Sequence, residues 1–312
     1  MTETTTDWGV LARALADWAA LADEAATVAQ APIISHGQAN RDAVDYLHAR
    51  WEGAGRPIWT PWPTLDRLAG GIVGEDVVII AGGTSVGKST FAVQLAGHAA
   101  ATSHATLYGS YEVTPARLAL QLATQATGED GYRLRKRPTD LTRILGAFSR
   151  SQDWPLYWWR GGQRPPWATL AAAVPRMVRD HGLQLLVVDH LELIPLETRQ
   201  RDHIALELGE IVAQAKALAV RHQIAIVLVD QLNRAASAQA APTLANLGWS
   251  AGIEKNADKV WALDRVDRED PDSARWVYVL KNREGALGKV QLGWDPGPTR
   301  FLDPQERREV AP

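Results

Sequence analysis

From Leu65 onward, short runs of β-branched and apolar residues alternate with longer stretches rich in Ala, Leu and Arg. The runs DVVIIA (76–81), ATLYGSY (105–111), LYWW (156–159), LQLLVVD (183–189), IAIVLVD (224–230), KVWALD (259–264), WVYVLK (276–281) and KVQLGW (289–294) predict strands. Between them, apolar positions three and four apart predict helices over 88–101, 115–127, 139–149, 167–181 and 203–222. Strands that are apolar throughout and joined through helices belong in a mostly parallel, twisted sheet covered on both faces. The last two strands are separated by NREGALG, a turn-rich link suited to an antiparallel hairpin at the sheet edge. Upstream, Trp8, Leu11, Leu15, Trp18, Leu21 and Ala25 repeat at helical spacing over 7–29, and a short helix follows near 40–51, ended by EGAGRP. This divides the chain into a helical N-terminal extension (1–55), an α/β core (56–302) and a polar, fraying tail (303–312).

One stretch breaks the pattern of packing residues. GGTSVGKST (82–90) follows an apolar strand and opens a predicted helix. Gly82, four residues, then Gly87-Lys88-Ser89 fit the phosphate-loop spacing G-x-x-x-x-G-K-[ST]. The glycines let successive backbone N–H groups turn toward phosphate oxygens, and the helix beginning near Lys88 adds its positive end. The whole segment, Gly82, Gly83, Thr84, Ser85, Val86, Gly87, Lys88, Ser89 and Thr90, is the expected nucleotide cradle, with Lys88 reaching the β/γ-phosphates and Ser89 offering its hydroxyl to Mg²⁺.

Composition narrows the chemistry. The 312 residues are 46% hydrophobic and 22% charged, an ordinary globular balance with room for one large α/β domain plus an extension. The net charge of -3 excludes a globally basic nucleic-acid glove, so polyanion binding needs local positive features. There are no cysteines, which removes disulfides, thiolate zinc sites and cysteine nucleophiles. The eight histidines show no paired metal spacing. Neither a signal peptide nor an apolar stretch of about 18–20 residues is evident, so a soluble cytoplasmic protein without membrane attachment is expected. Thirteen tryptophans include a cluster in 154–167, read as core and edge-strand packing in preference to a base-stacking platform.

Hydrolysis needs more than a phosphate cradle. Asp189 ends an apolar strand, where a carboxylate can hold Mg²⁺ through water or merely cap a following helix. Glu112 terminates the strand after the first helix, where its carboxylate can polarise an attacking water or be an ordinary surface glutamate. Gln231 ends another strand, where its amide can sense a γ-phosphate or serve as a plain polar strand end.

Taken in order, these stretches, with IEKNADKVWAL and VLKNREGALGKVQLGWDPGPTRFLD, resemble the C-terminal motor domain of DnaB-type replicative helicases from about residue 56 to about 302. The resemblance implies a RecA-like P-loop NTPase core, assembled as a homo-oligomeric ring of six, with ATP between neighbours and single-stranded DNA in the pore. It makes Lys88 and Ser89 the phosphate-loop pair, Glu112 the catalytic glutamate, Asp189 the metal-coordinating aspartate and Gln231 the γ-phosphate sensor. KNREG matches the segment reaching into the adjacent subunit's site, so Lys281 and Arg283 are implied as trans-acting cations, with Arg283 the arginine finger. ATP and Mg²⁺ are the implied cofactors, and a helicase loader or primase the further partners.

The family's Arg-Glu-Ser-Gly loop, which contacts the DNA backbone, is here LGWSAG (247–252), with Gly248 and Trp249 in place of the arginine and glutamate. Trp249 can stack on a base or pack against a neighbour, and loop N–H groups can still hold phosphates. About 55 residues precede the core, against the large primase-engaging domain of the family. Arg133 and Arg135, with Lys136 and Arg137, form a local basic cluster, either a DNA contact or a solvated charged loop. The leading expectation is a Mg²⁺-dependent ATPase that translocates on single-stranded DNA and unwinds duplex. A RecA/KaiC-like regulator, loader or recombination factor is the alternative. A ring that binds ATP only for assembly is disfavoured by the set Glu112, Asp189 and Gln231.

Overall fold

The computed structural model describes residues 35–52, 57–136, 141–159, 164–196, 201–231, 241–244, 252 and 255–305. The chain divides into two units, Met1–Arg56 and Pro57–Pro312. In the first, the described part is one helix, α1 (His36–Glu52); the helix expected over 7–29 lies outside the described residues.

The second unit is built, among the described residues, on nine strands in the order β3-β2-β4-β5-β1-β6-β7-β8-β9. Their ranges are β1 Val77–Gly82, β2 Thr106–Ser110, β3 Leu156–Trp158, β4 Leu185–Asp189, β5 Ala225–Gln231, β6 Lys259–Arg265, β7 Arg275–Asn282, β8 Gly288–Asp295 and β9 Arg300–Leu302. The first six in space pair in parallel, and β7, β8 and β9 return antiparallel. The helices are α2 (Pro63–Ala69), α3 (Lys88–Ala101), α4 (Pro115–Thr127), α5 (Gly131–Lys136), α6 (Thr142–Ser151), α7 (Trp167–His181) and α8 (Arg201–His222), with a 3-10 turn at Leu191–Leu193.

The two-sided burial implied by the apolar strands is present. Alternate residues of each central strand enter different cores, as the period of two requires. On one face Val78 and Ile80 pack with Phe91 and Leu95 of α3, Trp62, Trp261 and Phe301. Trp62 stacks on Phe91 with ring centroids 4.0 Å apart. On the other, Val77, Ile79 and Ala81 pack with Leu170 and Val174 of α7 and Leu208 and Val212 of α8. The tryptophan cluster is packed, as expected: Trp167 is buried, Trp158 lies against the first core, and β3 is an edge strand.

Two expectations need correction. The hairpin β7–β8 is antiparallel, but it is not the edge. The three-residue strand β9 covers it, anchored because the Gln94 side chain accepts from the Phe301 N–H at 2.9 Å and donates to the Phe301 carbonyl at 2.9 Å. The strand before Glu112 ends at Ser110, so Glu112 sits in the following turn and not at the strand terminus.

Candidate nucleotide site

All six parallel strands end on one edge, the carboxyl edge where open α/β sheets bind ligands. Register brings the sequence-predicted groups together there. Gly82 sits opposite Gln231 on one side and Leu263 on the other, and Ser110 sits opposite Asp189. The phosphate loop leaves β1 and enters α3 through Gly87, whose φ of 104° favours glycine. A Cβ at Gly87 would stand 3.1 Å from the Phe301 ring, and one at Gly82 would stand 2.7 Å from Val86 Cγ1. A side chain at Gly82 would force Val86 to shift, and one at Gly87 would be strained by its backbone. At Gly83 nothing lies within 4 Å of a Cβ, so the loop opens to space at that point.

Lys88 is folded onto the loop, its ammonium donating to the Gly82 and Gly83 carbonyls at 2.9 Å each. Burial pushes it below the usual lysine range, against the opposing pull of Asp230, Asp189, Glu192 and Glu112. Ser89 donates to Asp189 Oδ1 at 3.0 Å, and the buried Tyr108 hydroxyl donates to Oδ2 at 2.8 Å. Asp189 itself is buried, which raises its carboxyl; the two hydroxyl bonds work the other way. Glu112 is exposed and reaches toward His190, with Oε2 3.8 Å from Nδ1. Gln231 donates to Thr84 Oγ1 at 2.9 Å, so it already touches the loop.

Sequence reasoning missed several neighbours. Tyr108 reads as core in a strand; only register shows it aimed at Asp189. Arg265, at the end of β6, donates to the Ser85 carbonyl at 3.1 Å. A cavity of about 180 Å³ lies beside the loop, lined by Gly83, Thr84, Val86, Pro242, Leu263 and Arg268 among others. Asp230, one residue before Gln231, is fully buried.

Lys281 and Arg283 lie elsewhere. Because β7 runs against β6, Lys281 pairs with Val260, which is level with Ile79 in the body of β1. The Arg283 N–H donates to the Asp258 carbonyl, level with Val77 at the start of β1. Arg283 is thus separated from its own phosphate loop by the length of β1, about 17 Å of strand. Its guanidinium pairs with Asp258 at 3.1 Å and donates to the Lys255 carbonyl at 3.0 Å, and Lys281 donates to the Ala257 carbonyl at 2.7 Å. Arg133 pairs with Asp130 at 3.4 Å, and both Arg133 and Arg135 are exposed on α5. Arg137, Gly248 and Trp249 lie outside the described residues.

Ser89 and Asp189 supply hard oxygen donors that fit Mg²⁺, which takes a few protein oxygens alongside water and phosphate. Among the described residues no cluster of three or more His, Asp or Glu forms an all-protein metal cage. Among them, too, no helix is long and apolar enough to cross a membrane.

A phosphate loop on β1, a carboxylate at the end of β4 and an amide at the end of β5, all on one edge of this strand order, define a RecA-like nucleotide-binding core. Residues 58–303 match the model of the DnaB-like helicase C-terminal domain, and the chain belongs to that family. The replicative DNA helicase DnaB of Geobacillus stearothermophilus is 27% identical over 287 residues, 86% of this chain and 61% of that protein. The chain therefore spans under two thirds of that relative's length. Among solved structures, a DnaB-like replicative helicase, described with its interactions with primase, superposes with a TM-score of 0.72 at 20% identity, covering 84% of this chain and 66% of that one. A KaiC-like protein of Pyrococcus horikoshii reaches 0.54 at 18% identity, covering 80% and 98%.

Proposed function

We propose that this chain is a Mg²⁺-dependent ATPase motor that assembles as a homo-oligomeric, six-membered ring, moves along single-stranded DNA and separates duplex in cytoplasmic DNA replication. One observation carries the ring reading: Arg283 sits at the amino edge of the sheet, a strand length from its own phosphate loop. A cation there serves a triphosphate only across a boundary between protomers. The match to the DnaB-like family over residues 58–303 favours the motor over the KaiC-like alternative.

In this reading residues 82–90 hold the phosphates, and Lys88 leaves the Gly82 and Gly83 carbonyls for the β/γ-phosphate oxygens. Ser89 and Asp189 would hold Mg²⁺, which would supply positive charge to offset that of the phosphate oxygens. Glu112 takes the proton of the attacking water, and its exposure leaves it open to that water. Gln231, on Thr84, registers the γ-phosphate and passes its presence to the chain that follows β5. Arg283 of a neighbouring copy stabilises charge on the transferred phosphoryl, with Lys281 beside it. Trp249 stacks on a base, Gly248 leaves loop N–H groups for phosphates, and Arg133 and Arg135 add weak electrostatic contacts. A helicase loader or primase is the further partner in this reading.

Mixing tests this arrangement. Arg283→Ala should lose hydrolysis yet bind ATP, and adding Lys88→Ala protein should restore part of the activity at mixed boundaries. Normal hydrolysis by Arg283→Ala alone would sink the trans role. Oligonucleotide stimulation of turnover and a strand-displacement assay separate a helicase from a regulator. Trp249→Ala should weaken single-strand affinity, and unchanged affinity removes the stacking role.

A further inference from the structure

Asp230 is the residue the mechanism above leaves unused. It is the penultimate residue of β5 and sits opposite Ala81, one residue before the phosphate loop begins. It has 0% exposure, and among the described residues neither carboxylate oxygen has a hydrogen-bond partner of normal geometry. Its neighbour Gln231 turns the other way and bonds the loop through Thr84. By the period of two, Asp230 shares the face of Ile226 and Leu228, packed with Ala81, Leu191 and Ile194. The charged groups facing it are Glu192, from the 3-10 turn after β4, and Lys88, from the start of α3. Among the described residues, the other neighbours on that face include the apolar Leu208 and Val212 of α8.

A buried carboxylate without partners is costly to the fold. A neutral or apolar residue would serve packing better, so the charge calls for another explanation. Lys88 is the cation that faces it, yet its ammonium is turned to the loop carbonyls and makes no ion pair with Asp230. The carboxylate acts on Lys88 through space, in a setting where burial weakens screening.

We propose that Asp230 weakens nucleotide binding by design: its buried negative charge opposes the phosphates and competes with them for Lys88, so that product leaves the loop readily. This rests on the nucleotide reading above. When phosphates bind, they place negative charge beside the carboxylate and draw Lys88 away. Both effects favour the protonated form of Asp230, so binding takes up a proton. Burial, then Glu192, pushes this carboxyl up to about 7, while Lys88 and the Gln231 N–H hold it down, so the exchange falls in the working pH range. Below that range Asp230 is neutral and the opposition vanishes; above it, the opposition is complete.

The test is calorimetric titration of the full chain with ADP and Mg²⁺ from pH 6 to 8, in two buffers of different ionisation enthalpy. Wild-type protein should take up more protons on binding near pH 7.5 than ADP's own ionisation explains. Asp230→Asn should bind ADP about tenfold tighter than wild type at pH 8 and converge with it at pH 6. The nucleotide's own titration is common to both proteins and cancels. Parallel curves of equal affinity, or a lowered melting temperature with an unchanged ADP pH profile, would overturn the proposal. If Asp230→Asn does not fold, Asp230→Ser replaces it, and the proton count on wild type decides by itself: no excess uptake means no such role. A failure of the nucleotide reading looks different, as ADP would then bind neither protein, nor would Lys88→Ala change that.

Discussion

The two edges of the sheet treat buried charge in opposite ways. At the amino edge the buried carboxylates among the described residues are answered. Asp76 pairs with Lys259 at 2.7 Å and also accepts from the Val73 N–H at 3.0 Å. Lys259 donates in turn to the Gly71 carbonyl. Asp258 accepts from Lys216 at 2.9 Å, from the Val77 N–H at 2.8 Å and from Arg283 at 3.1 Å. At the carboxyl edge, among the described residues, Asp189 has two neutral hydroxyls, Lys88 has two carbonyls, and Asp230 has no partner of normal geometry. Paired charge ties the start of β1 to β6. Charge left short of partners is available to a ligand, at a cost in stability that the other edge helps to offset.

The comparison can be broken, starting with the largest effect. If Arg283 acts across protomers, Arg283→Ala should lower turnover by about 10³-fold or more while leaving equilibrium unfolding little changed, as half of that side chain is exposed. A large loss of stability with turnover retained would reassign Arg283 to holding the amino edge. Next, Lys259→Ala strands Asp76 in the interior and should cost about 3–5 kcal/mol in a urea unfolding experiment. A cost below about 1 kcal/mol would mean that the amino edge is not where stability resides.

Third comes pH. Asp230 has a folded value of about 7 against 3.8, so the folded state holds a proton that the unfolded state has lost between those values. The stabilisation is complete below about pH 4 and is lost as pH rises to 7, a fall of roughly 2–4 kcal/mol by linkage. Wild type should therefore lose urea resistance from pH 5 to 7.5 relative to Asp230→Asn, and parallel curves would remove the asymmetry between the edges. Asp66, pushed up to about 6 by burial, contributes the same fall to both proteins and cancels. Smallest is Arg133→Ala, a solvated pair with Asp130 on neither edge, which should change stability by less than about 0.5 kcal/mol.

Much of this is legible in the chain, for identifiable reasons. Helices α3, α4 and α7 begin and end where sequence places them because punctuation marks them. Gly87 precedes the first; Pro115 opens the second and Gly128 closes it in the left-handed region; Gly182 closes the third the same way. Short elements are not legible. β9 has three residues and no period to detect, and it exists because Gln94, some two hundred residues earlier, clamps it. Helix α2 carries Pro63 at its start and Gly70 after its end, yet its seven residues are too few to show a helical period. At the site, Lys88, Ser89, Asp189 and Gln231 stand out as loop or strand-end residues. Asp230 has the same sequence texture as Asp189. Only strand register and the packing of the 190–196 segment and α8 separate a carboxylate with two hydroxyl donors from one with none. The placement of Arg283 at the far edge likewise depends on β7 running backward, which a strand's composition does not disclose.

The approach of the Phe301 ring to the space beside Gly87 has a consequence for how the protein is made. Synthesis delivers the residues that cradle phosphate early, whereas the aromatic brace beneath them and its Gln94 clamp close only when β9 leaves the ribosome. A growing chain thus carries the phosphate loop without its brace for the some two hundred residues that separate Gln94 from Phe301.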